Sequence, residues 1–598
     1  MYIFSVISKS YLLLLKSERV KFGFLIIFFF FSALIQVIGV ASIAPFTTLL
    51  TNPGIIETNK IFATIYNYFQ FTDTKSFIEA VALGSMLMMI LSNAIGVFTL
   101  WLTMRFSITI GNSLQCRLYE NLLFRPYLYH KTVNHSRSIA TINSQAPRFV
   151  YMILQPFLLL TSNIFLGLII LIGLLFLNPV IPLVIGFVLG GGYFSTYLFT
   201  KRLLKKHGDI LTVRNVEVQK ILTEGFIGIK EVTLNKLQKN FIEKYRFINL
   251  KGLNSNSILA LIGDVPKFVI ETIAFSAIFI GAIIALQFEN NSSSIIVFLS
   301  IYAIAGYKLL PTMQQIFKSV SSLSAHGSVV FELSQHLDTK VDIQYDRKLV
   351  SAETINEVRL ENINFKYPSA TNITIKNISV SFSSRMINTI AGHSGSGKTT
   401  LADILLGLIP PDAGKILING KVADSDMITQ MQQSCGYVPQ HIFILDDTVI
   451  ENVAFGVDKK NIDENRIIDV LKKANAWNFV QKLPNGIHTK LGQDGKLLSG
   501  GQRQKIGIAR CLYRDIKMLI LDEPTSALDI ESEYDFMMLL RSLKEQLLII
   551  IISHRPSAIK CSDVITLIEN GTIEAHGTLT ELKENNQHFR SMLEKSSF

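Results

Sequence analysis

The chain has 598 residues, too many for one ordinary domain, and with 49% hydrophobic and only 17% charged residues it is too apolar to be soluble throughout. Its net charge of +11 is uneven: residues 1–350 hold 30 Lys and Arg against 17 Asp and Glu, while residues 351–598 hold 27 against 29. The basic excess lies in the apolar half, where it speaks for membrane topology and anionic lipid and against a nucleic-acid surface.

Residues 2–17 read as an interfacial helix. The apolar patch Tyr11–Leu15 is short, lacks a small-residue cleavage site and runs into Lys16, Glu18, Arg19 and Lys21, unlike a cleavable signal. A helix crosses a bilayer with about 20 apolar residues. By that measure six spans are expected, near 22–45, 81–104, 149–177, 180–200, 266–286 and 295–317. Phe149–Thr200 is free of charge over a length that suits two of them, with Asn178-Pro179 as the turn between.

Orientation follows from the placement of Lys and Arg. The connections 105–148 and 201–251 are rich in them, and the alternate connections are nearly bare. Both termini are therefore expected in the cytoplasm. The basic connections have few Gly or Pro and read as helical stalks, with Pro126–Lys131 and Ile221–Lys230 as the tips that lie flat on the following domain. Cys116, Cys435, Cys511 and Cys561 lack metal-ligand spacing and fall in cytosolic segments, so free thiols are expected.

From Val358 the periodicity changes. Val358–Ile363 and Ile375–Phe382 alternate as strands do, and Met386–Ala391 leads into a glycine loop, Gly392-His393-Ser394-Gly395-Ser396-Gly397-Lys398-Thr399. This is P-loop spacing. Its glycines let backbone N–H groups approach phosphate, Lys398 would hold the β- and γ-phosphates of ATP, and Thr399 would ligate Mg²⁺. A helix predicted over Thr400–Leu408 points its positive end at the nucleotide. Downstream, the buried-strand pattern Met518–Leu521 delivers Asp522, expected to hold Mg²⁺ through water, and Glu523, placed as a general base. Between these two features stands Leu498-Ser499-Gly500-Gly501-Gln502, a second phosphate-binding nest at a helix start.

With that run between a P-loop and an acidic strand end, the whole chain resembles ABC exporter half-transporters. The resemblance implies an α-helical membrane domain with six transmembrane helices, residues 1–340, followed by an α/β P-loop ABC ATPase domain, residues 341–598. It also implies roles for further positions. Tyr367 in Phe365-Lys366-Tyr367-Pro368 matches the aromatic residue that stacks on adenine, and Gly392, Ser394, Gly395, Gly397 and Thr400 join Lys398 and Thr399 in the ATP cradle. Gln440 in Tyr437-Val438-Pro439-Gln440 matches the glutamine that reaches Mg²⁺ and the water. Asp529 ends the interface loop Ser526-Ala527-Leu528-Asp529, and His554 matches the histidine at the γ-phosphate. Ser499, Gly500, Gly501 and Gln502 would then serve the ATP of a second copy, which makes a homodimer the expected assembly.

Cargo is a separate matter, because function lives in the site and not in the fold. Ionisable residues within spans are few: Lys267, Glu271 and Lys308. The membrane half looks similar to bacterial flippases of lipid-linked oligosaccharides in Ser42-Ile43-Ala44-Pro45-Phe46, Val265-Pro266-Lys267 and Tyr307-Lys308-Leu309-Leu310-Pro311, with a short external helix expected within Asn59–Phe71. That likeness implies a bacterial inner-membrane location, contact with membrane lipid, and Lys267 and Lys308 as the cations that attract a pyrophosphate. The chain departs from it in having Lys where Arg is usual, and Ser92 or a neighbour where a third basic residue would stand. Export of a peptide, lipid or drug is the alternative, and an ATP-gated channel is an alternative of another class.

Overall fold

The computed structural model describes residues 2–177, 180–288, 292–339, 341, 354–368, 370–525 and 528–595. The contacts divide the chain into two compact units. One holds Met1–Arg125 and Thr132–Ile343; the other holds Pro126–Lys131 together with Gln344–Phe598.

The first unit is all helix. Among the described residues three helical stretches are long and apolar enough to cross a membrane: Lys16–Thr51, Thr74–Leu123 and His135–Phe176. The other three expected spans fall in the helices Val180–Ile227, Gln238–Phe288 and Ser292–His326. The expected turn Asn178-Pro179 lies outside the described residues. The helices pack through aromatic and small residues. The Phe22 ring lies 6.4 Å from Phe106 and 5.7 Å from Phe157, which ties together these three helical stretches. A Cβ on Gly39 would sit 2.3 Å from Cβ of Ser92, so only glycine lets these two helices close to that distance. Ser92 is buried there and donates to the backbone oxygen of Gln36 at 3.2 Å, an interhelical packing role.

Several boundaries differ from the expectation for identifiable reasons. The N-terminal helix is Tyr2–Leu13, because Glu18 accepts the backbone N–H of Leu15 at 2.8 Å and starts a new helix there. The first span pauses at Ser42, whose hydroxyl donates to the oxygen of Gly39 at 2.7 Å, and resumes as Ile43–Thr51. The short helix expected within Asn59–Phe71 runs from Lys60 to Tyr68 and is capped by the Asn59 side chain, which accepts from Ile61 N at 2.9 Å. The stalks are helical, in Thr74–Leu123, Val180–Ile227 and Gln238–Phe288. At the second tip Phe226 and Ile227 are exposed.

The second unit contains two sheets. An antiparallel sheet in the order β2-β1-β4-β5 uses β1 (Glu357–Phe365), β2 (Ile375–Ser383), β4 (Ala413–Ile418) and β5 (Lys421–Val422). A six-stranded sheet has the order β10-β9-β3-β8-β7-β6, from β3 (Ile387–Ala391), β6 (Cys435–Val438), β7 (Met518–Asp522), β8 (Leu548–Ile552), β9 (Val564–Glu569) and β10 (Thr572–Gly577). β7 and β8 are buried along their whole length, as continuous apolar strands of a sheet covered on both faces must be.

Register positions the site. In the parallel pairs Ile390 stands opposite Ile552, and Ile552 stands opposite Asp522. The carboxyl ends of β3, β8 and β7 are therefore level, and the loops that leave them emerge side by side. The helix after the glycine loop is Lys398–Leu405, shorter than expected. Gly407 ends it with φ +64°, and Leu408 N–H bonds back to the oxygen of Asp403 at 2.9 Å, the left-handed cap that glycine makes inexpensive.

Candidate functional site

The glycine loop is shaped by positions that exclude other residues. Gly392 has φ +153°, and a Cβ there would meet the oxygen of Ile568 at 2.2 Å. Gly397 has φ +105°, and a Cβ there would meet Ile375 at 2.9 Å. The buried Lys398 ammonium donates to the oxygens of Gly392 at 2.9 Å and His393 at 2.7 Å. Burial pulls its pKa down, against the attraction of Glu523, Asp522 and Glu569. Thr399 is exposed at the helix start, while Thr400 is buried and shares a hydrogen bond with the Tyr367 hydroxyl at 3.2 Å.

At the neighbouring strand ends, three segments distant in sequence meet on one carboxylate. Gln440 Nε2 donates to Glu523 Oε2 at 2.8 Å, and His554 Nδ1 donates to Glu523 Oε1 at 3.0 Å. Glu523 has φ +47°, a left-handed conformation that costs a non-glycine residue on the order of 1 kcal/mol or more, and its N–H is held by the oxygen of Ile552 at 2.8 Å. Such strain is typical of a side chain aimed by its surroundings. Asp522 accepts from the Tyr437 hydroxyl at 3.5 Å, and burial and the adjacent Glu523 charge push its pKa up.

Ser499 caps the helix Gly500–Tyr513. Its hydroxyl accepts from Gln502 N at 3.3 Å, and the Gln502 side chain accepts from Ser499 N at 2.9 Å. Gly501 faces Leu528, which would stand 2.7 Å from a Cβ at that position. Asp529 caps Ile530–Leu543 through Ser532 N at 2.9 Å, and hydrogen bonds from the Ser532 side chain and then its backbone lower the Asp529 pKa. Ser526 and Ala527 lie outside the described residues.

One feature was not legible in the sequence. Lys131, at the end of the tip Pro126–Lys131, forms an ion pair with Asp403 on the glycine-loop helix, and its ammonium lies 5.8 Å from the Tyr367 ring centre. Leu128 of the same tip packs on the core below. Burial opposes the Lys131 charge, but the hydrogen bond and charge of Asp403 outweigh it and raise the Lys131 pKa; Asp403 is itself raised by burial. The signal available was an acid set among Leu and Ile on a helix otherwise made for the core. Of the membrane candidates, Lys267 pairs with Glu271 on its own helix at 3.7 Å. Lys308 is half-buried and has no ion pair among the described residues.

The oxygen donors Thr399, Asp522 and Gln440 suit a hard cation such as Mg²⁺, and the buried Ser396 hydroxyl has no hydrogen-bond partner among the described residues, as expected of a loop built around an anion.

The ABC transporter family profile matches residues 375–526. A protein of Rickettsia bellii named as an export ATP-binding/permease protein is 30% identical over 401 residues, covering 65% of this chain and 68% of that one. The chain belongs to the ABC exporters, as a half-transporter with its membrane domain first. Among similar proteins are the ATP-dependent lipid A-core flippases of Haemophilus influenzae, 29% identical over 66% of this chain and 63% of that protein, and of Cupriavidus pinatubonensis, 27% identical over 78% and 79%. The match to the first thus spans under two thirds of the relative's length. A solved bacterial Atm1-family ABC exporter with ATP bound shares the fold, with TM-score 0.76 at 18% identity over 98% of this chain and 100% of that one. As in other ABC exporters, a helical membrane domain precedes an α/β ATPase domain.

Proposed function

We propose that this exporter works as a homodimer that uses Mg²⁺ and ATP to move a lipid-linked glycan from the inner to the outer leaflet of a bacterial inner membrane. Each chain contributes six spans, with both termini and the ATPase on the cytoplasmic side. The observation that carries the ATP-driven part is the carboxylate of Glu523 held by Gln440 and His554 beside the loop of Lys398. Lys398 leaves its two loop carbonyls to take the β- and γ-phosphates. Tyr367 would stack on adenine, and Thr399, Gln440 and Asp522 would hold Mg²⁺, which when bound would supply positive charge at the phosphates. Glu523 accepts the proton of the attacking water, and a base so positioned contributes about 10²–10⁴-fold. The capped Ser499–Gln502 helix end and Asp529 serve the partner's ATP, since Ser499 and Gln502 bond each other rather than the loop of their own chain.

The cargo reading rests on the flippase names of the relatives and on Lys308, an ammonium in an apolar helix with no ion pair among the described residues. A cation in such surroundings favours an anionic partner, and a pyrophosphate headgroup supplies one. Vesicles that contain the purified chain and a fluorescent polyprenyl-pyrophosphate oligosaccharide test this. ATP should make the inner-leaflet label accessible outside, and ATPase activity should rise with the lipid. No ATP-dependent movement of this lipid, together with a response to peptides or apolar drugs, would transfer the reading to a general exporter.

A further inference from the structure

Beside the glycine loop, three side chains converge from separate segments. They are His393 on the loop, Glu569 at the end of β9 and His588 on the C-terminal helix Gln587–Lys595. Of these side chains only Glu569 bears on the site above, through its charge toward Lys398. One donor atom from each lies within 4.8 Å of the others, and the two imidazole rings are 5.5 Å apart. Oxygen Oε2 of Glu569 is buried without a hydrogen-bond partner among the described residues. His588 Nδ1 donates to Glu574 Oε2 at 2.8 Å, and the other Glu574 oxygen accepts from Asn586 at 3.2 Å. A carboxylate that grips one ring nitrogen fixes the tautomer and the ring orientation, the kind of support that metal-ligating histidines receive.

We propose that His393, Glu569 and His588 form a binding site for a borderline divalent transition ion of the zinc class, which staples the C-terminal helix to the phosphate loop. Two imidazoles and a carboxylate suit such an ion, whereas Mg²⁺ prefers an all-oxygen set. Ligands on tetrahedral zinc stand about 3.3 Å apart, given bonds of about 2.0 Å. The three groups therefore need to close by no more than about 1.5 Å, a movement within reach of an exposed loop histidine and a short surface helix. The remaining coordination positions fall to water. Because the oxygen of His393 holds Lys398 at 2.7 Å, fixing His393 also favours the loop conformation in which Lys398 is occupied by its own carbonyls. Zinc should then weaken ATP binding without touching Glu523.

The test starts from the full-length chain in detergent, stripped of metal and nucleotide; ATP affinity is then read with and without zinc. Zinc is titrated in competition with a chromophoric chelator. The wild type should bind one zinc per chain more than His588→Ala and than Glu569→Gln, and Glu574→Gln should lower affinity about 10–100-fold by releasing the supporting carboxylate. Zinc should raise the unfolding temperature of the wild type and leave that of His588→Ala unchanged, while an excess of Mg²⁺ does neither. Equal zinc stoichiometry in wild type, His588→Ala and Glu569→Gln would overturn the site. A full wild-type stoichiometry difference with unchanged ATP affinity would overturn the link to Lys398.

Discussion

In the ATPase unit, Gln440, Glu523 and His554 come from three distant segments and still meet within 3.0 Å of one carboxylate. In the membrane unit, Lys267 pairs with Glu271 one turn along its own helix, and Lys308 has no ion pair among the described residues. The difference follows from how each unit is built. A parallel sheet with level strand ends brings the starts of its loops to one edge wherever they stand in sequence, so short motifs are enough to define the site. A helical bundle offers no such edge. Its functional groups are set one at a time by the rotation and depth of each helix, and the sequence around them specifies mainly an apolar surface.

The contrast is sharpest on the ATPase side. Glu523→Gln should cut hydrolysis about 10²–10⁴-fold in purified protein while nucleotide binding persists, because Lys398 and the loop backbone are untouched. Near-normal turnover would break the idea that this carboxylate is the point where the three segments act.

A smaller effect is expected at the tip Pro126–Lys131. Lys131→Met leaves the buried Asp403 without its cation, a cost of about 1–3 kcal/mol. Transport per ATP hydrolysed should fall several-fold, with basal hydrolysis largely kept. The double variant Lys131→Met, Asp403→Leu removes both charges and should recover much of the loss, since an apolar pair of suitable volume commonly replaces an ion pair at little cost. If the double variant were as impaired as the sum of the singles, the pair would have no coupling role.

The smallest expected effect on hydrolysis is on the membrane side. Lys267→Gln with Lys308→Gln should leave basal ATPase within about a few-fold, since neither residue contacts nucleotide, and should sharply reduce movement of lipid-linked glycan. Unchanged movement would mean that cargo is held by shape and apolar contact alone, which would widen the contrast between the two units.

How much could be read in advance follows the same division. The buried runs of β7 and β8, the glycine loop and the capped Ser499 helix announce themselves because each is contiguous and each residue type has one physical task. Glu523 was legible as an acid at a strand end, but its left-handed backbone and its two partners follow from register, which no local pattern records. The Lys131–Asp403 pair joins residues from opposite halves of the sequence and was visible only as an acid in an apolar helix face. Helix ends escape the local pattern where a single side chain or glycine decides them, as at Glu18, Ser42 and Gly407. The zinc-class cluster was not legible, because nothing in the spacing of His393, Glu569 and His588 predicts that β9 and the C-terminal helix return to the loop.

The homodimer proposed above closes each ATP between two copies of the chain. Mixed dimers of one Lys398→Ala chain and one Ser499→Arg chain, isolated with two affinity tags, test it most directly in a background where one site suffices for turnover. Shared sites place both defects at one ATP and leave the other intact, so the mixed dimer should hydrolyse ATP well above either mutant homodimer, at up to about half the wild-type rate if the two sites fire independently. Hydrolysis no higher than that of the homodimers would mean that each chain completes its own site, and would contradict the claim.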